Sequence, residues 1–174
     1  MRAVIVDWMR SPFHRAHKGD LSGTRPDEML SQVTKSLLSR NKFDTTEIDD
    51  IIVGCAYPEG EQGYNVGRLA TFLGDIPVTV PGMTINRLCG SSMQAVMAAA
   101  SNIESGWGEC FLCAGVESMS RVKRRGFNWS PHPLLEEEFP EAYINMGVTA
   151  ENVAEAWSIS RISQEEFALD SHAK

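Results

Sequence analysis

Asn86-Arg87-Leu88-Cys89-Gly90-Ser91-Ser92-Met93 sets a cysteine between a short apolar segment, Met83 to Ile85, and a run with helical spacing. Met93, Val96, Met97, Ala100 and Ile103 fall at i, i+3, i+4, i+7 and i+10, and Gly106 supplies the stop. Cys89 therefore stands where a strand hands over to a helix. Unpaired N–H groups and the positive end of the helix dipole at such a point favour a thiolate over a thiol. Gly90 and the two serines leave room for a carbonyl compound to approach. A small apolar core cysteine is the commoner fate of a lone thiol, but this surrounding motif outweighs it.

Working outward, the chain has 174 residues, a size that suits one ordinary domain or a domain plus part of another. Its formal net charge of -7, from 16 basic and 23 acidic side chains, argues against nucleic acid and anionic membranes as partners. No apolar run approaches the roughly 18 residues of a membrane span. Met1-Arg2-Ala3-Val4-Ile5-Val6-Asp7 has the pattern of a buried strand, without the longer apolar core and cleavage site of a signal peptide. Four cysteines without secretory features imply reduced thiols and a cytoplasmic setting.

Strands and helices alternate. Ala3 to Val6 is expected as a first strand, followed by a Pro/Gly/basic loop. Pro26 opens a helix carrying Met29, Leu30, Val33 and Leu37, closed by Asn41. Ile51 to Cys55 forms a second strand, and Val66, Leu69, Ala70 and Leu73 a short helix ended by Gly74. Met83 to Ile85 with the helix after Cys89 makes the third unit, and Cys110 to Ala114 a further strand. Uninterrupted apolar strands between amphipathic helices indicate an α/β fold, a mostly parallel mixed sheet with helices on both faces. Strand C-termini, Cys89 among them, then gather along one edge, where sites form.

The character changes after Glu117, so residues 1–117 are expected as an incomplete α/β domain and 118–174 as the start of an excursion. That second part holds a basic run from Arg121 to Arg125, three prolines and Glu136-Glu137-Glu138, which reads as a solvated acidic face. Two helices follow, one that Thr149 can cap and one with Ser163 and Glu166 as a capping box. The last runs to Lys174 with no C-cap, which suggests a chain cut within an element.

Ile85-Asn86-Arg87-Leu88-Cys89-Gly90-Ser91-Ser92-Met93-Gln94-Ala95-Val96 resembles the nucleophile signature of thiolases, most of all the bacterial 3-ketoacyl-CoA thiolases of fatty-acid β-oxidation. The resemblance extends to Val4-Ile5-Val6-Asp7 with Arg10-Ser11-Pro12-Phe13, to Gly54-Cys55 with Glu59 to Asn65, to Ala114 through Ser120, and to Met146 through Asn152. It implies a thiolase-like fold and acyl transfer through a thioester on Cys89, with coenzyme A as a substrate and no separate cofactor. The Cys89 backbone N–H would serve an oxyanion hole, and Met146 would bind substrate near the acyl or pantetheine pocket. It also implies a homodimer or homotetramer for a complete enzyme.

Thiolases take a histidine from a Gly-His-Pro segment and an acid/base cysteine from a Cys-x-Gly segment, both in a later half. Neither segment occurs here. The chain is thus expected to be the front part of such an enzyme, inactive alone and completed by a C-terminal half. A condensing, acetoacetyl-CoA-forming thiolase, a ketoacyl synthase and a non-catalytic subunit are the competing readings. Cys110-x-x-Cys113 has the spacing of a metal or redox pair, yet i and i+3 on a strand point to opposite faces and no second pair follows, so both read as packed thiols. His14-x-x-His17 likewise lacks further ligands and reads as a solvated loop. The Arg121–Arg125 run suits either phosphate contacts with coenzyme A or a solvated loop.

Overall fold

The computed structural model describes residues 2–174. The chain forms two compact units, one ending at Trp129 and the other spanning Ser130–Lys174. In the first, a parallel sheet is built from β1 (Asp50–Gly54), β2 (Gly82–Ile85) and β3 (Phe111–Gly115) in the order β2-β1-β3. Ile52 lies opposite Met83 on one side and Cys113 on the other. Parallel neighbours need crossovers, and helices α1 (Pro26–Asn41), α2 (Val66–Leu73) and α3 (Ser91–Glu104) belong to that framework.

The central strand explains the two layers. Ile51, Val53 and Cys55 point to one face and join Leu30 of α1 and Val66 and Ala70 of α2 in a buried cluster. Ile52 points the other way and packs on Ala95 and Ala99 of α3. Alternation of side chains along a strand makes an all-apolar run such as Ile51-Ile52-Val53 serve both cores at once. Burying each of these side chains is worth about 1.5–3 kcal/mol. The expected sheet with helices on both faces is therefore present.

Local chemistry sets the helix ends. Pro26 occupies the first turn of α1, where its missing N–H costs nothing, and Lys42 closes the helix in the left-handed conformation. Asn65 caps α2 by accepting from the Arg68 N–H at 3.2 Å, while its amide donates to Gly82 O at 2.9 Å. One side chain thereby ties the start of α2 to β2.

Three expectations need correction. Ala3 to Val6 is not a strand: Val4, Ile5 and Val6 are 74%, 76% and 87% exposed. A strand exists through its ladder, and this segment has no strand beside it among the described residues. It is held instead at Asp7, whose carboxylate accepts from Arg40 and Asn41 at the end of α1. The other two concern caps in the second unit, which contains α4 (Pro133–Glu138), α5 (Met146–Ala156) and α6 (Arg161–Ala173). Asn145, not Thr149, caps α5 by accepting from Gly147 N–H at 2.8 Å, and Thr149 lies one turn inside. Ser160, not Ser163, caps α6; Ser163 donates its N–H to Ser160 Oγ at 3.2 Å. Both true caps sit three or four residues upstream, because Thr and Ser at an interior N3 or N4 position look like caps in sequence.

Residues 118–129 remain with the first unit. Val122 is fully buried, Arg121 pairs with Glu61, and the Phe127 N–H donates to Glu59 Oε2 at 2.6 Å.

Candidate active site at the strand C-termini

All three strands end at the same edge of the sheet, and the segment 86–91 leaves β2 there to enter α3. Cys89 sits in this turn with its side chain exposed. The turn is closed from within. Asn86 Oδ1 accepts from Leu88 N–H at 2.8 Å. Ser91 Oγ accepts from Arg87 N–H at 2.9 Å and donates to Leu88 O at 2.5 Å. Leu88, directly before the cysteine, has φ +46°, a conformation a branched side chain adopts only when its surroundings impose it. These three hydrogen bonds supply that imposition.

Close approach of α3 to the sheet holds the turn from below. A Cβ on Gly54 would lie 2.3 Å from the Ser91 carbonyl carbon and 2.4 Å from Ser92 N; one on Gly115 would lie 2.6 Å from Ser92 Cβ. The first turn of α3 thus rests on the ends of β1 and β3. Consistent with this, small residues of α3 face the sheet: Ser91, Ala95 and Ala99 are buried. Met93 and Met97, part of the regular apolar spacing, are 64% and 55% exposed.

A second polar group braces the same edge. Glu117, just past β3, accepts from Ala56 N–H at 2.7 Å and from the Gln62 side-chain amide. Gln62, fully buried, also donates to Tyr57 O at 3.0 Å and accepts from Ser118 N–H at 3.1 Å. Asn86 Nδ2 donates to Ala56 O at 3.0 Å, joining the cysteine turn to this network. The sequence reading passed over Asn86, Gln62 and Glu117 as functional groups. Each lies in a stretch that carries the family resemblance, but nothing in the sequence shows that the three meet in one network.

The remaining thiols are packed. Burial, then the nearby Glu117 charge, pushes the Cys55 thiol up to about 12. Burial, then Asp50, raises Cys113 to about 11, and burial raises Cys110. Cys110 and Cys113 pack against opposite clusters, as strand geometry requires of an i, i+3 pair. Among the described residues no cluster of three or more His, Cys, Asp or Glu side chains is arranged to hold a metal.

Met146 occupies the first position of α5 in the second unit and is exposed, whereas Cys89 belongs to the first. The histidines stand elsewhere. His14 Nδ1 accepts from Asp20 N–H at 3.1 Å, the His17 N–H donates to Ser120 Oγ at 2.9 Å, and His132 and His172 belong to the second unit. The basic run is partly engaged: Arg121 pairs with Glu61, and Arg125 stacks on Trp129 at 4.5 Å.

An exposed cysteine at a helix entrance, above the C-terminal edge of a parallel α/β sheet, is an arrangement that suits covalent catalysis. The chain belongs to the thiolase family: residues 3–174 match the model "Thiolase, N-terminal domain". It is 42% identical over 170 residues to a 3-ketoacyl-CoA thiolase of Bacillus subtilis, with 98% of this chain and 44% of that protein covered. A 3-ketoacyl-CoA thiolase of Pseudoalteromonas translucida is 44% identical over 172 residues at the same coverage. The solved structure of the Bacillus anthracis acetyl-CoA acetyltransferase superposes with a TM-score of 0.73 at 34% identity, covering 89% of this chain and 42% of that one. The thiolase-like fold is thereby shown, and the chain spans under half the length of these relatives.

Proposed function

We propose that this chain is the nucleophile-bearing part of an acyltransferase that cleaves 3-ketoacyl-CoA to acetyl-CoA and a shortened acyl-CoA. The observation that carries the reading is Cys89: exposed, at the entrance to α3, in a turn fastened at both Asn86 and Ser91. The family and the names of the relatives support the substrate class.

The Cys89 thiolate adds to the 3-keto carbon, and the carbonyl oxygen takes up the displaced electron pair. Backbone N–H groups at the turn stabilise that oxyanion, with the Cys89 N–H as one donor. Collapse re-forms the carbonyl and breaks the C2–C3 bond, whose electrons leave as the acetyl-CoA enolate. A proton from an acid completes acetyl-CoA. A base then takes the proton of a second coenzyme A thiol, whose sulfur attacks the thioester carbonyl; the acyl group moves to coenzyme A and the Cys89 thiolate leaves. Coenzyme A is a substrate in this scheme, and no separate cofactor is needed.

The base and the acid come from polypeptide outside this chain, by resemblance a histidine and a second cysteine. Residues that act as a unit lose nearly all activity when one is removed, so this chain alone should not sustain turnover. Met146 serves as a substrate contact in this reading. The complete enzyme is cytoplasmic, acts in fatty-acid β-oxidation and assembles as a homodimer or homotetramer. The direction, cleavage or acetoacetyl-CoA-forming condensation, follows substrate levels; family membership favours either over a ketoacyl synthase.

The test supplies the C-terminal part of the Bacillus subtilis relative in trans and follows coenzyme A-dependent cleavage of acetoacetyl-CoA. Cleavage that is restored with the native chain and absent with Cys89→Ser is the expected result. Equal turnover by Cys89→Ser contradicts the role given to Cys89, and robust turnover without any added chain contradicts the incompleteness.

A further inference from the structure

We propose that Glu117 is a positioning residue for the Cys89 turn, acting through the Ala56 peptide and Asn86. The inference rests on the reading of Cys89 as nucleophile but names a group that reading does not use. Three hydrogen bonds connect the two places. Glu117 Oε2 accepts from Ala56 N–H at 2.7 Å, Ala56 O accepts from Asn86 Nδ2 at 3.0 Å, and Asn86 Oδ1 accepts from Leu88 N–H at 2.8 Å. The last bond fixes Leu88 at its φ of +46°, one residue before Cys89.

Each link has a defined direction. The Ala56 peptide is gripped on both sides, its N–H by a carboxylate and its C=O by an amide. Glu117 in turn is placed by the Gln62 amide, and Gln62, fully buried, is held by Tyr57 O and Ser118 N–H. Two donors converge on the Glu117 carboxylate, which suits an acceptor-only group and no other side chain of that size. A bond to an ionised acceptor is about twice as strong as a neutral one. The strongest anchor of the chain of bonds is therefore its far end.

Glu117→Gln keeps the shape and puts an NH2 against one of the two donors. Asn86→Ala, at an exposed position, cuts the link nearest the cysteine without touching the core. Two readouts on the 174-residue chain separate positioning from general loosening: site-resolved amide exchange, and the pH profile of Cys89 alkylation by iodoacetamide. In both variants Leu88 amide exchange should quicken about tenfold, the effect of losing one such bond, and the Cys89 profile should change. Ile52 exchange and the protection of Cys113 from alkylation, on the far side of the sheet, should stay as in the native chain. The double variant should behave like the single ones, because both cut one series of links. Native values for Leu88 and Cys89 in either variant overturn the proposal, as does parallel loosening at Ile52 and Cys113. Neither readout requires an acyl-CoA, so a failure of Cys89 to form an acyl-enzyme would sink the proposed function without deciding this result.

Discussion

Four thiols of one chain divide by surroundings. Cys55 and Cys113 are pushed to about 12 and about 11 by burial first and carboxylates second, whereas Cys89 faces solvent in a turn. The same balance acts on carboxylates. Hydrogen bonds from Cys110 N–H and Glu109 N–H hold Asp49 below its ordinary value, while burial raises Asp50 beside it. A group raised in the folded state stabilises below its unfolded pKa of about 3.9 and loses that contribution as pH rises through the folded value. Asp50→Asn should therefore raise the urea midpoint at pH 7 and lose that advantage by about pH 4. A lower midpoint at pH 7 would show that the Asp50 bond to Ile51 N–H outweighs burial. At this scale Cys89 was legible because its signature is contiguous. Glu117, Gln62 and Asn86 were not, since their partners lie 61, 55 and 30 residues away in sequence.

Elements were legible where pattern and punctuation agree. Pro26 and Asn41 bracket α1, and Gly74 follows α2, as their spacing indicated. The strand expected at Ala3 to Val6 failed because composition states what a segment can bury and not what lies beside it. For α3 the pattern located the helix but not its buried face. Which face turns inward depends on how near the backbone comes to β1 and β3, and there the small Ser91, Ala95 and Ala99 are buried. Gly54 sets that distance. Gly54→Ala should destabilise the first unit by about 3 kcal/mol, since its Cβ meets backbone atoms that have no rotamer to yield. Denaturant unfolding measures this. A change under about 0.5 kcal/mol, the range of an unconstrained surface site, would mean that α3 can lift away at no cost.

The whole molecule is uneven. Every fully buried large side chain lies at or before Val122, and no residue from Ser130 to Lys174 is buried. Helices of 6, 11 and 13 residues fall at or below the length that is marginal without tertiary packing, about 12–15 residues. Amide exchange should accordingly be slow at Ile51, Ile52 and Val53 and at least about a hundredfold faster across α6, whose opening costs little. Equal protection in both would show that α6 is stabilised by something outside the chain's own packing. No described helix is long and apolar enough to cross a membrane. Exposed Val4, Ile5, Val6, Met93, Met97 and Phe167 form apolar surface, in keeping with a chain that spans 44% of its curated relatives.

The central claim is that Cys89 accepts the acyl group, and peptide mapping tests it most directly. The chain, complemented with the C-terminal part of its Bacillus subtilis relative, is mixed with a 3-ketoacyl-CoA, quenched in acid and digested. The account predicts an acyl thioester on the peptide containing Cys89, removed by added coenzyme A and absent from Cys89→Ser. An acyl group found on another residue, or one that persists in Cys89→Ser, would contradict it.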